Sequence, residues 1–259
     1  MVASAEMPHA RYTYGDTTFA ADRLDVVARV FEPTSLPFMR RAAPSHPDLA
    51  LDLGCGPGNT TRLLARALRP ARTVGLDRSS AFLERARRDA PRDMEFVEHD
   101  VFGTPFPVGP AGAIYCRLLL AHLPDRPEVV ARWSTQLEIG GALLLDEIED
   151  ISSDEPAFVE YLPIAIGVVE RSGGHLIAGP ELAAMDDPPA TTRVFDEVVT
   201  LEATASQIAP IFGMNLDVLV ERGEVEPRPE LARALREVAE RGGATIVWRM
   251  RQIAFRRDA

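Results

Sequence analysis

A glycine-rich stretch, residues 49–59, reads LALDLGCGPGN and carries the strongest chemical signal in the sequence. A short apolar run leads into Gly54, Gly56 and Gly58, and a helical pattern begins directly after them. Glycines at such a turn let a ligand approach the backbone closely, and the start of a helix offers free N–H groups. Asp52 precedes the turn, where a carboxylate would repel a pyrophosphate and attract a cation such as a sulfonium. A plain strand–turn–helix junction is the simpler alternative.

Two further acids follow the next two predicted strands. Asp77 comes nineteen residues after Gly58, at a place where a carboxylate can accept both hydroxyls of a ribose. Its alternative role is to cap the helix that follows. Asp100 opens the next loop and would accept from an adenine amino group while Val101 and Phe102 pack beside the ring. An acid that merely opens a loop is the alternative for Asp100.

Four other side chains have the chemistry to act on a substrate. His122 follows the fourth predicted strand and is a candidate general base, since an ordinary histidine titrates near pH 6.5. Glu147 and Glu149 close the fifth predicted strand and would face the same cleft, as a base or as partners of a substrate amine. His175, in the stretch SGGH, is a candidate substrate contact. The alternative for His122 is a histidine that only packs against its helix, and the alternative for Glu147 and Glu149 is a solvated strand end.

The elements that must position these residues alternate between strand and helix. Apolar runs bounded by glycine or acidic residues indicate buried strands, and apolar residues at helical spacing indicate helices between them. Five short strands separated by helices predict an α/β fold with a doubly wound, mostly parallel sheet, which later strands extend to seven. The predicted strands are residues 49–53, 73–76, 94–98, 113–116, 142–146, 194–202 and 245–255.

The chain divides by composition into a core and helical caps. Residues 1–48 are predicted as an N-terminal helical cap, and residues 49–150 as the α/β core that binds a cofactor. Residues 151–190 are predicted as a lid. Residues 191–259 complete the sheet and carry a second helical cap at 205–241. Ligands of open α/β sheets bind at the carboxyl ends of the strands, where these caps would lie.

Composition excludes several classes of protein. The chain has 259 residues and a formal net charge of −11, which opposes binding to nucleic acid or to an anionic membrane. All 28 basic residues are arginine, so lysine chemistry is absent. Two cysteines and five scattered histidines offer no metal-ligand spacing, and no metal is expected. No membrane span or leader is evident, so a cytoplasmic location is expected.

The ordered set of glycine turn, Asp77 and Asp100 resembles the class I S-adenosylmethionine-dependent methyltransferases, over residues 45–150. The resemblance implies a Rossmann-like fold and S-adenosyl-L-methionine as cofactor, with S-adenosyl-L-homocysteine as product. It implies that Asp52 and the backbone of Gly54, Cys55 and Gly56 hold the methionine part of the cofactor.

The same resemblance assigns the other end of the cofactor. Asp77 would bind the ribose, with Leu76 or Arg78 beside the adenine, and Asp100 and Val101 would take the adenine. Arg117 would lie beneath the methionyl moiety. Tyr14, in an upstream stretch that resembles the entry helix of small-molecule members, is a further candidate cofactor contact.

The sequence thus predicts a methyltransferase that moves a methyl group by in-line displacement to an O, N or C atom of a small molecule. A protein that binds S-adenosylmethionine without methylating, for ligand sensing or another reaction, is the alternative. A nicotinamide-dependent oxidoreductase is disfavoured, since Asn59 stands where a dinucleotide fingerprint has Gly or Ala. The acceptor, the methylated atom and the oligomeric state stay open.

Overall fold

Seven strands in the described part of the chain form a single sheet. The computed structural model describes residues 18–88 and 90–259. The strands are β1 (Leu49–Leu53), β2 (Arg72–Asp77), β3 (Met94–Glu98), β4 (Ala111–Arg117), β5 (Leu137–Ser153), β6 (Thr191–Thr204) and β7 (Thr245–Arg257). Their order is β3-β2-β1-β4-β5-β7-β6, with β3 to β5 parallel and β7 antiparallel to both of its neighbours. The expected α/β, mostly parallel seven-stranded sheet is confirmed.

Helices cover both faces of the sheet and its carboxyl end. They are α1 (Thr18–Ala42), α2 (Asn59–Leu68), α3 (Ser80–Arg87), α4 (Arg126–Ser134), α5 (Pro156–Arg171), α6 (Gly179–Ala184), α7 (Ala205–Glu221) and α8 (Pro229–Arg241), with one turn of 3₁₀ helix at Leu120–His122. Side chains alternate between the faces of a strand. Leu51 and Leu53 therefore pack on one face with Trp133 of α4, whereas Ala50 packs on the other with Leu64 of α2.

A third apolar cluster lies beyond the sheet, where α5, α7 and α8 meet the extended ends of β5 and β7. Helix α8 shows why such a segment folds locally. Leu231, Leu235 and Val238 recur at helical spacing and are buried, and Pro229 occupies the first turn, where its missing N–H costs nothing. This cluster forms the cap above the strand ends.

Helix α1 lies against the sheet even though it contains two prolines. Pro33 and Pro37 each lack the N–H that would bond to the preceding turn. Gln252 of β7 donates from Nε2 to the carbonyl of Thr34, 3.2 Å away, and so ties the helix to the sheet between the two prolines. Phe31 and Ser35, which flank this point, are thereby held over the carboxyl end of the sheet.

One connection departs from the general alternation of strand and helix, and one predicted strand boundary differs from the structure. Residues 99–110 join β3 to β4 without a helix, because Pro105, Pro107 and Pro110 remove backbone donors within a short segment. Strand β5 does not end at Asp146 but continues to Ser153, which pairs with Ile246 across an antiparallel ladder. The continuation depends on β7, a partner about a hundred residues later in the chain.

Among the described residues, no helix is both long and apolar enough to cross a lipid bilayer.

Candidate active site

A cavity of about 930 Å³ opens at the carboxyl ends of β1, β2 and β4, beneath α1, α5 and α7. Ligand pockets commonly span ~300–1,000 Å³, so this one has room for two small molecules together. One half is walled by the glycine turn and by the loops after β2 and β3. The other half is walled by the cap helices and the extended ends of β5 and β7.

The glycine turn has a backbone that only glycine adopts readily. Gly54, Gly56 and Gly58 have φ values of 65°, 53° and 87°. At Gly58 a Cβ atom would also stand 2.8 Å from the ring of Phe96, a closer approach than side chains tolerate. The turn therefore keeps its backbone against the cavity wall, which Gly54 and Gly56 line.

Asp52 lies behind this turn rather than on the cavity wall. Its side chain is 1% exposed, and Oδ2 accepts hydroxyl hydrogen bonds from Thr60 and Thr61 at 2.6 and 2.7 Å. Burial raises the pKa of Asp52 to about 6, and the two hydroxyl donors only partly oppose that rise. Asp52 thus fixes the turn to the first residues of α2, one layer away from the cavity.

Asp77 faces the cavity from the end of β2. Its Oδ2 accepts the N–H of Gly56 and its Oδ1 accepts the N–H of Ser79, both at 2.8 Å. The helix cap itself is Ser79, whose hydroxyl accepts the N–H of Phe82. Burial raises the pKa of Asp77, while the backbone donors oppose that rise. Each oxygen of the carboxylate keeps a second lone pair for a ligand.

The loop after β3 completes this half of the cavity. Asp100 accepts the N–H of Phe102 at Oδ1, 3.0 Å away, and the carbonyl of Val101 accepts from Trp133 Nε1 at 2.7 Å. Asp100, Val101 and Phe102 all line the cavity, as does the exposed residue Arg78. The structure therefore brings together on one wall five features that the sequence singled out: the glycine turn, Asp77, Arg78, Asp100 and Val101.

Arg117 lies at the end of β4, between the two halves of the cavity. Its Nη1 donates to Ser35 Oγ, 3.2 Å away, and its guanidinium stands 5.8 Å from the centre of the Phe31 ring. Ser35 in turn donates to Asp146 Oδ2 at 2.6 Å, and Tyr115 donates to the same oxygen. Burial raises the pKa of Asp146, and these donors together with the Arg117 charge oppose the rise.

His122 lies on the cavity wall at the end of the 3₁₀ turn. Burial, with a smaller contribution from the positive charges of Arg23, Arg78 and Arg126, lowers its pKa to about 4. The imidazole is therefore neutral at physiological pH and able to accept a proton. The general-base role that the sequence predicted for His122 stays a prediction.

The expectation that Glu147 and Glu149 face the cleft is wrong. Because side chains alternate along β5, Ile148 takes the cavity wall and the two glutamates point to the other side. Glu147 Oε1 accepts the N–H groups of Leu119 and Leu120, each at 2.9 Å, and burial raises its pKa to about 7. It supports the 3₁₀ turn instead of touching a substrate.

Glu149 pairs through both carboxylate oxygens with Arg251 of β7, at 3.0 and 2.9 Å. His175 is exposed, with Nδ1 3.9 Å from Glu170 Oε1, and the cavity is lined instead by its neighbours Gly173 and Leu176. Neither predicted substrate contact is on the wall. Tyr14 lies outside the described residues.

Sequence reasoning missed most of the cap half of the cavity. Phe31, Tyr161, Phe212 and Trp248 line it, and Asn215 links Arg23 to Tyr161 through hydrogen bonds of 3.1 and 3.0 Å. The available signal was helical spacing in α7, where Ile208, Ile211, Phe212 and Asn215 recur on one face. That spacing indicates a buried face but not that a cavity lies beneath it.

In the two described ranges, no three His, Cys, Asp or Glu side chains are grouped closely enough to hold a metal ion. Cys55 and Cys116 are buried free thiols, and burial raises the pKa of each.

Residues 50–141 match the family model described as a methyltransferase domain. Two relatives are both named trans-aconitate 2-methyltransferase. The protein from Methylobacterium radiotolerans is 34% identical over 148 residues, 57% of this chain and 51% of that one. The protein from Enterobacter sp. (strain 638) is 37% identical over 115 residues, 44% of each chain. The chain thus spans about half the length of the curated relatives it matches.

Solved methyltransferases share the fold over most of the chain. One is geranyl diphosphate C-methyltransferase from Streptomyces coelicolor A3(2), solved with Mg²⁺, geranyl diphosphate and S-adenosyl-L-homocysteine. It aligns with a TM-score of 0.51 and 17% identity, over 96% of this chain and 89% of that one. Coclaurine N-methyltransferase, bound to N-methylheliamine and the same product, has a TM-score of 0.53 and 16% identity, covering 87% and 72%. Residues 50–141 are therefore similar to methyltransferase domains, and the chain shares the fold of solved methyltransferases.

Proposed function

We propose that this protein transfers a methyl group from S-adenosylmethionine to a small molecule enclosed in the cavity. One observation carries the proposal: the Asp77 carboxylate and the glycine turn share one wall and are joined by the hydrogen bond from Gly56. A ribose held at Asp77 would direct the rest of the cofactor along that turn. The residues present fit the cofactor, since Asp77 keeps acceptor lone pairs beside the cavity-lining backbone of Gly54 and Gly56 on the same wall.

The proposed contacts follow the wall of the cavity. The backbone of Gly54, Cys55 and Gly56 holds the methionine part, and Asp77 accepts the ribose hydroxyls. Asp100 and Val101 hold the adenine, between Phe102 and Arg78. Asp52 contributes from behind the turn, through Thr60, which lines the cavity. The resemblance adds Tyr14 as a further cofactor contact. Arg117, for which the resemblance implies a position beneath the methionyl moiety, borders the acceptor half of the cavity and is not among the contacts proposed for the cofactor.

S-adenosylmethionine, when bound, supplies a methyl group on a sulfonium, which an O, N or C nucleophile attacks in line. The protein's contribution is position: an acceptor held against the cofactor gains up to about 7–11 kcal/mol through proximity and orientation. The caps that we propose for residues 1–48, 151–190 and 205–241 would exclude water from the acceptor. His122, neutral at pH 7, would take the proton of an acceptor that must lose one, at an imidazole nitrogen.

The acceptor and compartment are proposals as well. Enclosure beneath α1, α5 and α7 favours a small molecule over a macromolecule, and the net charge of −11 disfavours nucleic acid. Two buried free thiols suit a reducing compartment such as the cytoplasm.

The test is methyl transfer from the labelled donor. The purified protein is incubated with methyl-labelled S-adenosylmethionine and a set of hydroxyl, amine and carboxylic-acid acceptors, and products are separated and counted. Label in an acceptor, reduced in Asp77→Asn when the cofactor is held near the Kd of the unmodified protein, supports the proposal. Tight binding of the cofactor without transfer to any acceptor would instead support a binding protein that does not methylate.

A further inference from the structure

We infer that the acceptor is a largely apolar organic acid, whose carboxylate is bound by the Arg117 guanidinium. The inference rests on the proposed function and specifies the substrate class of the same cavity. It follows from three properties of the cap half: its apolar wall, the absence of carboxylates among the described residues of that wall, and the way Arg117 is held at its border.

The wall of the cap half is built mainly from aromatic and branched aliphatic side chains. The Phe31 ring meets the Trp248 ring edge-on with centroids 5.2 Å apart, and Phe212 stacks on Trp248 at 6.3 Å and lies 4.8 Å from Tyr161. Ile148 extends the same surface. Such a wall stabilises an apolar body by about 25 cal/mol for each Å² that it removes from water.

Carboxylates are confined to the other half of the cavity. Among the described lining residues, only Asp77 and Asp100 are acidic, and both belong to the proposed cofactor half. Glu147 and Glu149, which flank the lining residue Ile148, are off the wall and are engaged with backbone amides and with Arg251. An acceptor with an ammonium group would therefore lie beside the Arg117 charge with no carboxylate to pair with. The free-energy cost of burying such a group unpaired disfavours its binding.

Arg117 is placed to receive an anion at the border of this apolar wall. Arg117 Nη1 donates to Ser35 Oγ, and Ser35 donates in turn to Asp146, so the guanidinium is oriented before any ligand binds. This is the one hydrogen bond that Arg117 donates within the described part of the chain, and a guanidinium has five N–H donors. No described carboxylate forms an ion pair with it; the buried carboxylates of Asp52 and Asp146 interact with its charge from farther away, and Ser35 lies between Arg117 and Asp146. A carboxylate is the planar partner that this fork of donors matches.

The methionine carboxylate of the cofactor has the same chemistry as the acid of an acceptor. We assign Arg117 to the acceptor because its guanidinium lies against Phe31 and Ser35 of α1, and Phe31 belongs to the aromatic wall of the cap half. The two sources predict different effects of an Arg117 substitution, which the second experiment separates.

The first experiment uses the unmodified protein saturated with S-adenosyl-L-homocysteine. Calorimetric titration compares trans-cinnamate, octanoate and geranate with their primary amides, with cinnamylamine and with trans-aconitate, a polar triacid. We expect at least one apolar acid to bind about tenfold or more tightly than its amide, as a charge-assisted hydrogen bond implies. Equal binding of every acid and amide, tighter binding of the amine, or tightest binding of trans-aconitate would overturn the inference.

The second experiment compares Arg117→Gln and Arg117→Lys with Arg249→Gln, which removes an exposed charge of β7 outside the cavity. We expect Arg117→Gln to abolish the preference for acid over amide, Arg117→Lys to keep part of it, and Arg249→Gln to keep all of it. Affinity for S-adenosyl-L-homocysteine should stay within about twofold in all three. If Arg117→Gln weakens that product but not methylthioadenosine, which lacks its carboxylate, Arg117 serves the cofactor and the inference is wrong.

Failure of the proposed function is distinguishable from failure of the inference. If the unmodified protein binds no S-adenosyl-L-homocysteine, the proposed function and the inference both fall. If it binds the product but does not prefer apolar acids, only the inference falls. Because the comparison of acids with amides uses the unmodified protein, it stands even if an Arg117 variant does not fold.

Discussion

Replacing Asp77 by asparagine tests the geometry of the proposed ribose site. In the structure each carboxylate oxygen accepts one backbone N–H, from Gly56 or Ser79 at 2.8 Å, and keeps one lone pair for the ligand. Asparagine preserves the shape but turns one oxygen into a donor, so one charge-assisted hydrogen bond to a ribose hydroxyl is lost.

The size of the effect follows from that single bond. Hydrogen bonds to charged groups contribute about 1.5–3 kcal/mol, so the Kd for S-adenosyl-L-homocysteine should rise about 10- to 150-fold. The backbone N–H that asparagine leaves unsatisfied weakens the free and bound protein alike and largely cancels in the affinity. Isothermal titration calorimetry at pH 7.5 measures the change, with circular dichroism confirming that the variant is folded.

A neighbouring acid supplies the control. Glu98 ends β3 and is the register partner of Asp77 in the sheet, but it is exposed and does not line the cavity. Glu98→Gln should therefore leave the Kd within about twofold of the unmodified protein. A folded Asp77→Asn protein with unchanged affinity, or an equal loss in Glu98→Gln, would refute the reasoning.

Three further predictions concern stability, measured by urea unfolding. His122 binds its proton more weakly in the folded state, so the fold loses stability as pH falls from about 6.5 towards 4. Between pH 7.5 and 5.0 the free energy of unfolding of the unmodified protein should fall by about 2 kcal/mol more than that of His122→Gln. Glu147 has a raised pKa, so its ionisation destabilises the fold as pH rises from about 4.5 through 7. The free energy of unfolding of Glu147→Gln at pH 8 should therefore equal or exceed that of the unmodified protein. A loss above about 2 kcal/mol at that pH would show that the charge stabilises the fold. Gly58→Ala should lower the free energy of unfolding by about 2 kcal/mol or more, since the alanine would be strained at φ 87° and would meet Phe96 at 2.8 Å. Gly223 has φ 71° but faces open space, so Gly223→Ala should lower it by only ~1 kcal/mol, from backbone conformation alone. Equal losses in the two variants would contradict the contact with Phe96.

The central half of the fold could be predicted because its signals are local. Strands β1 and β3 have the predicted bounds, since each is a short apolar run that ends at a glycine or an acid. Asp77 and Asp100 were found for the same reason: the carboxyl ends of neighbouring parallel strands meet at one edge of the sheet.

The remainder depends on contacts between distant parts of the chain. Strand β5 extends past Asp146 only because β7 pairs with it, and that pairing decides that Ile148 rather than Glu147 or Glu149 meets the cavity. The Arg117 anchor likewise joins β4 to Ser35, 82 positions earlier in the chain. Spacing along one segment does not encode such pairings.

Titration of the unmodified protein with S-adenosyl-L-homocysteine is the most direct test of the central claim. If the glycine turn and Asp77 form a cofactor site, calorimetry will record saturable binding of one molecule per chain, and excess NADH will not displace it. Absence of heat with this product and with S-adenosylmethionine, or preferential binding of NADH, would contradict the claim.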